Sequence, residues 1–341
     1  MTKFEMKKTG KIFFIIFAFF LVSIVCTLFI YFFSITPPRP EAINWGVDFS
    51  QMQAENLKLD WKKTYLAMLQ DLKVKHIKLH TQWDWVEGKK DDYYFKDIDW
   101  QIQQAQKYGA DIIYVVGMKT GRWPECHRPS WVDGYSKEAE QEEILEYIQK
   151  VVERYKKSPA IIAWQAENEP FFPFGQCPWQ DTEFLKKEVA LIKSLDAARP
   201  VIVSESGEQS LWFGAARIGD VVGVTTYRKV WFHIYKDYGF YINFPLPASM
   251  YGRKAHLVEK LFGKKVIGVE LQAEPWNAKP FYDVPLSEQE KSMDFQQFKD
   301  NVAYAKNTGL DTFYFWGVEW WYWLKETQQK PEIWEEAKQL F

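Results

Sequence analysis

Apolar and polar positions along the chain fall into a repeated two-part pattern. A short apolar run, dense in Val, Ile and aromatic residues, precedes a longer stretch whose apolar residues return at helical spacing. Runs of the first kind read as strands buried on both faces, and stretches of the second as amphipathic helices. Strands are predicted at 43–49, 75–81, 111–118, 158–167, 200–205, 220–226, 264–271 and 311–318. Asp60 opens a helix with Tyr65, Met68, Leu69 and Leu72 on one face. Further helices are predicted at 97–108, 137–156, 181–196, 210–217, 250–262 and 331–341, and the Ser287-x-x-Glu290 capping box predicts one that ends at Gly309. Eight strand–helix units imply an α/β fold, a single-domain (β/α)8 TIM barrel. An open doubly wound sheet would carry a Gly-rich phosphate turn after the first strand, and Gly46-Val47-Asp48-Phe49-Ser50 is not one.

The amino end departs from this pattern. Residues 12–35 are apolar and uncharged, long enough to cross a bilayer. Lys3, Lys7, Lys8 and Lys11 precede them, which predicts that the tail, residues 1–11, stays in the cytoplasm. No small-residue cleavage site is evident before the stiff, proline-rich linker at 36–42, so a signal anchor is expected rather than a removed signal peptide. The domain at 43–341 then lies outside the cytoplasm, at the cell surface or in the periplasm.

Charge is nearly balanced, Lys+Arg 43 against Asp+Glu 45, so the basic excess of a nucleic-acid partner is absent. Aromatic residues make up 18% of the chain and include 17 Trp, which favours a ligand with C–H faces to stack on, a carbohydrate. Neither a phosphate loop nor a Gly-x-Ser-x-Gly elbow occurs. No cofactor and no metal are expected.

Two stretches carry the candidate chemistry. The apolar run Ala160-Ile161-Ile162-Ala163-Trp164 leads into Glu167-Asn168-Glu169-Pro170, and Val266-Ile267-Gly268-Val269 leads into Glu270. Carboxylates at the carboxyl ends of barrel strands stand at the mouth, where such barrels keep their chemistry. Asn-Glu-Pro after a buried strand, with a second glutamate ending the seventh strand, resembles the clan A glycoside hydrolases. These are retaining (β/α)8-barrel glycosidases that include the cellulase and β-galactosidase families. Residues 76–87, Arg122-Trp123-Pro124-Glu125-Cys126-His127, Ser206-Gly207-Glu208 and Thr226-Tyr227-Arg228 extend the resemblance over nearly the whole chain after Pro40, and it is nearest to a bacterial, membrane-anchored branch.

The resemblance implies a hydrolase of β-linked oligo- or polysaccharides, with Glu169 as acid/base and Glu270 as nucleophile. The two carboxyl groups would lie about 5–5.5 Å apart. Glu274 is the rival nucleophile. Asn168 would bond the sugar 2-hydroxyl, Tyr227 would donate to Glu270, and Trp316 would be the stacking platform. Trp83, Arg122, Trp123 and Glu274 are further substrate-binding candidates. One departure stands out: the clan usually carries Arg on the second strand, and Lys78 occupies that position. Lys keeps the charge and loses the two-pronged geometry. That departure supports one alternative, a catalytically weak or inert glycan-binding barrel; the other is a transglycosylase, which uses the same intermediate but passes the sugar to an acceptor. Cys126 and Cys177 follow neighbouring strands, the third and fourth, in a domain expected in an oxidising compartment, which predicts a disulfide between them.

Overall fold

A computed structural model describes residues 3–33, 37–235 and 238–341, with side chains described from residue 11 onward. The first two residues of the predicted basic tail, and the junction Ser34-Ile35-Thr36 between span and linker, lie outside the described residues. Among the described residues, ten strands follow the first helix: β1 (Asn44–Phe49), β2 (His76–His80), β3 (Asp111–Val116), β4 (Ile161–Ala166), β5 (Val201–Glu205), β6 (Val221–Thr226), β7 (Lys229–Tyr235), β8 (Tyr238–Asn243), β9 (Lys265–Gln272) and β10 (Thr312–Trp316). Eight of them close into a parallel barrel in the order β1-β10-β9-β6-β5-β4-β3-β2. The predicted TIM barrel is what the chain forms.

Two apolar layers hold the barrel. Ile113, Ala163, Ile202, Ile267, Val269 and Tyr314 plug its interior. The outer faces of the strands pack against the helices in a larger cluster that includes Tyr65, Met68, Ile148, Val151, Ile192 and Phe298. Several helix starts are capped by a side chain. The carboxylate of Asp60 accepts from the amides of Lys62 and Lys63, and that of Asp181 from Glu183 and Phe184.

Three predictions about elements are corrected. The Ser287-x-x-Glu290 box does not open the seventh long helix. Pro285 starts a short turn at Leu286–Gln289, and the long helix runs Phe295–Lys306 from an Asp294 cap that accepts from the Gln297 amide at 2.7 Å. After β10, a helix at Val318–Thr327 precedes the closing one, now Glu332–Ala337. Between β6 and the helix Ala248–Phe262, the antiparallel hairpin β7–β8 stands outside the barrel.

The first helix runs Lys3–Phe33, and its segment Lys11–Phe33 is long and apolar enough to cross a membrane. Phe13, Phe14, Phe19 and Val25 are exposed around it, so no protein core explains its apolar surface. The linker is docked rather than free. Pro37 lies so close to Gly252 that a Cβ there would meet it at 2.5 Å, and Arg39 donates to Asn307 at 2.5 Å.

A register irregularity shapes the mouth. Val224 of β6 pairs with Gly268 of β9, but the next residue, Thr225, pairs with Glu270. The extra residue lets Val269 plug the interior while Glu270, which simple alternation would turn outward, also points in.

Candidate active site

The end of β4 is a tight, strained turn. Glu167 and Glu169 both have left-handed backbones, φ 57° and 44°, conformations that cost a non-glycine residue of order 1–3 kcal/mol. The surroundings hold them there. The carboxylate of Glu167 turns away from the mouth and accepts from the amides of Met118 and Lys119 at 2.8 and 2.5 Å. The Lys119 ammonium donates to the carbonyls of Glu169 and Phe172 at 3.0 and 2.8 Å. The Glu169 amide donates to Ser204 Oγ at 2.9 Å. Glu169 is thereby sent into the mouth, where its Oε1 accepts from Thr225 Oγ1 at 3.0 Å. Burial, then the charges of Glu270 and Glu125, push its carboxyl up to about 8 against the opposing pull of Lys119 and Thr225.

Glu270 is held from two sides. Lys78 Nζ donates to its Oε1 at 3.0 Å, and Tyr227 OH donates to its Oε2 at 2.7 Å. Lys78 also meets Asp48 Oδ2 at 3.0 Å, and Asp48 in turn bonds His80. Lys78, Asp48 and Glu270 are all buried. Burial opposes charge on Lys78, but Asp48 and Glu270 outweigh it and hold the ammonium above its usual range. Burial likewise opposes charge on Asp48, and His80, Lys78 and Arg122 hold it below the usual carboxylate range. The position where the resemblance expects Arg thus carries a cation engaged with two carboxylates.

Arg122, Glu274 and Trp316 form one unit. The Arg122 guanidinium stacks 4.0 Å over the Trp316 ring. It bonds Glu274 and reaches Glu319 Oε2 at 3.2 Å. Glu274 is therefore committed to Arg122, while Glu270 faces the mouth; β9 ends at Gln272, before alternation could carry Glu274 to the same face. Trp316 is a buried floor with Arg122 on one side. Asn168 is buried beside Gln165, whose Nε2 donates to its Oδ1 at 3.4 Å.

Trp83 is corrected: it is not at the mouth. It is 0% exposed, stacks on Tyr147 and donates to Glu87 Oε2 at 2.8 Å, an apolar core position. Trp123 stands at the rim, 53% exposed, edge-on to Phe174. Cys126 and Cys177 are joined by a disulfide, Cα atoms 5.2 Å apart, which ties the loops after β3 and β4.

Sequence reasoning missed Glu125, Phe174 and Trp276. Glu125 is a further buried carboxyl, hydrogen-bonded to Asn168; burial, opposed by Lys119 and aided by the Glu270 charge, raises it to about 7. It fits only because Gly175 faces it, where a Cβ would meet its own at 2.5 Å. Its place beside Cys126 was the available signal. Trp276 lies edge-on to Tyr227 at 4.9 Å and continues to Phe174 at 5.5 Å, so the aromatic wall runs from the Glu270 partner out to Trp123. Among the described residues, no group of three or more His, Cys, Asp and Glu is placed to hold a metal ion.

Comparison with known proteins adds family and fold. The model of a family described as "Apiosidase-like, catalytic domain" matches residues 61–275. A probable mannan endo-1,4-beta-mannosidase A from Aspergillus clavatus is 37% identical over 137 residues, 36% of this chain and 34% of that protein. The corresponding protein of Aspergillus niger is 39% identical over 79 residues, 22% of this chain and 19% of its own length. The chain thus matches about a third or less of these curated relatives. Among solved structures, a beta-galactosidase from Rahnella sp. R3 superposes with TM-score 0.57 at 13% identity, covering 90% of this chain and 57% of that one. A GH10 endo-beta-1,4-xylanase from Gloeophyllum trabeum gives 0.55 at 15% identity, covering 81% and 84%. Identities this low speak to the fold alone.

Proposed function

The chain belongs to the apiosidase-like catalytic-domain family, a clan A (β/α)8 glycoside hydrolase, and from that premise we propose that it is a retaining glycosidase cleaving β-linked sugars by double displacement. The observation that carries the reading is the pairing of unlike carboxyls. Glu270 is bonded by Lys78 and Tyr227, and Glu169 is kept protonated near neutral pH by burial and neighbouring charge. Two carboxyls whose surroundings push them apart in acidity divide into base and acid.

In the first step Glu169 gives its proton to the glycosidic oxygen as a Glu270 carboxylate oxygen attacks the anomeric carbon. The C–O bond to the leaving group breaks and a glycosyl ester forms on Glu270. Lys78 and Tyr227 orient the attacking carboxylate, and Lys78 balances its charge. In the second step the Glu169 carboxylate takes a proton from water, whose oxygen attacks the same carbon and releases Glu270. In this reading Asn168 and Glu125 bond sugar hydroxyls, and the wall Tyr227–Trp276–Phe174–Trp123 offers aromatic faces to further sugars. The Lys78 contacts weigh against an inert barrel, because a binder has no use for an ion-paired nucleophile.

The apolar helix is proposed as an anchor with the barrel outside the cytoplasm. Lys3, Lys7, Lys8 and Lys11 on its amino side and the Cys126–Cys177 disulfide both support that topology. A panel of aryl β-glycosides followed by proton NMR tests the reaction. Release of the β-anomer first is expected; first release of the α-anomer, or no turnover of any substrate, would overturn the reading.

A further inference from the structure

The hairpin β7–β8 has an apolar face that no part of the described chain covers. Its strands pair only with each other. Phe232 and Ile234 on β7, with Tyr238 and Phe240 on β8, are 48%, 63%, 76% and 49% exposed. Phe232 and Phe240 are register partners, their rings 5.9 Å apart. An isolated hairpin is marginal in water, and this one is fastened by its opposite face. Tyr241 donates to Glu288 at 2.7 Å and accepts from Asn277 at 2.7 Å, and the Trp231 amide donates to the Trp276 carbonyl at 3.1 Å. A fixed, exposed apolar patch of this kind marks an interaction surface.

The neighbourhood identifies the occupant. At the hairpin base, the Phe244 amide donates to the Arg228 carbonyl at 2.8 Å and Arg228 donates to the Leu246 carbonyl at 3.1 Å. Three residues further on, Ser249 Oγ donates to the carbonyl of Phe32, in the last turn of the apolar helix, at 3.1 Å. Residues 246–249 span at most about 11 Å. The hairpin is therefore rooted beside the point where the membrane-length helix ends. Strands of six or seven residues reach about 20 Å, so a hairpin rooted there can carry its aromatic side chains into the interfacial layer of a bilayer.

We infer that Phe232, Ile234, Tyr238 and Phe240 form a second membrane contact, seated in the interface of the bilayer that the first helix crosses. The inference rests on the anchor reading and extends it to substrate access. Trp231 bonds the Trp276 carbonyl, Trp276 packs on Tyr227, and Tyr227 bonds Glu270, so a seated hairpin holds the mouth beside the membrane. The substrate is then a glycan attached to or lying on that surface, rather than a freely diffusing chain.

The test uses the full chain with Cys26→Ser and Phe240→Cys, labelled with the polarity-sensitive dye NBD. It is reconstituted in vesicles of equal phosphatidylcholine and phosphatidylglycerol, with and without acyl-brominated lipid. Glu335→Cys, exposed on the closing helix, is the control. The label at 240 is expected to shift to the blue and to be quenched by bromine, and the label at 335 to do neither. Tyr238→Cys repeats the readout if Phe240→Cys does not fold. A label at 240 that behaves like the one at 335 overturns the inference. So does one that shifts only when soluble polysaccharide is added, which makes the hairpin a sugar platform. A chain that fails to float with vesicles removes anchor and contact together. Aryl-glycoside turnover by the same samples reads catalysis separately, so a lipid-buried label without turnover refutes the glycosidase and supports the membrane contact.

Discussion

Replacing Glu125 with Gln should lower the upper pH limit of catalysis while leaving the reaction itself in place. Glu169 must hold a proton to act as acid, so activity is present below its titration, near 8, and is lost as pH rises through it. Three causes raise that value, in order burial, Glu270 and Glu125. Glu125 titrates near 7 and is mostly ionised where Glu169 loses its proton, so most of its charge acts there. A like charge within about 4–6 Å shifts a carboxyl by roughly 1–3 units. Because Glu125 ranks third and Lys119 opposes it, the low end, about one unit, is expected. One unit is about 1.4 kcal/mol, or roughly a tenfold loss in kcat/KM above the limb. Gln keeps a polar group opposite Asn168 and fits the space that Gly175 leaves. The assay is kcat/KM against pH on an aryl glycoside with a poor leaving group, for which protonation is limiting. A dinitrophenyl glycoside, which needs no acid, should show little of the shift. A basic limb that stays in place or moves upward would refute the reasoning.

Lys78→Met leaves Asp48 and Glu270 buried without their shared cation, which should cost about 3–5 kcal/mol of stability and reduce turnover at least about 100-fold; calorimetry and aryl-glycoside kinetics read both, and turnover within threefold of the parent would contradict it. Glu169→Ala should turn over a dinitrophenyl glycoside and recover part of its rate with azide, an anion that attacks the anomeric carbon in the second step without needing a base and releases Glu270, with the glycosyl azide as product; absence of that product counts against Glu169. The Cys126–Cys177 bond spans 51 residues, so the double Ser variant should lose about 2–4 kcal/mol in chemical denaturation; an unchanged midpoint would show that the loops need no tie.

The barrel was legible because its strands are buried on both faces and need no context to be recognised. What the sequence concealed is local. Ser287 and Glu290 have the spacing of a capping box, but Pro285 starts a turn there and Asp294 makes the competing cap. The hairpin escaped because the apolar face of β7 and β8 stays largely exposed among the described residues, so burial left no pattern to find. At the site, Glu169 and Glu270 were readable as strand-end carboxylates, although only the irregular register of β9 explains why Glu270 faces inward behind Val269. Trp83 misled because a tryptophan after a barrel strand serves core and mouth equally well, and Tyr147 draws it into the core. Glu125 was hidden because its closeness to Asn168 depends on Gly175, some fifty positions away, and on the folding together of two loops.

The central claim is that Glu270 forms a covalent bond to the sugar with Glu169 as its acid. Trapping tests it most directly. The chain would be incubated with 2-deoxy-2-fluoro aryl glycosides of the sugars it hydrolyses, whose fluorine slows release of the intermediate, and then digested for mass spectrometry. The account predicts one glycosyl adduct per chain, located on Glu270 and absent from Glu270→Gln. An adduct on Glu274, or full inactivation with no adduct on either residue, would contradict it.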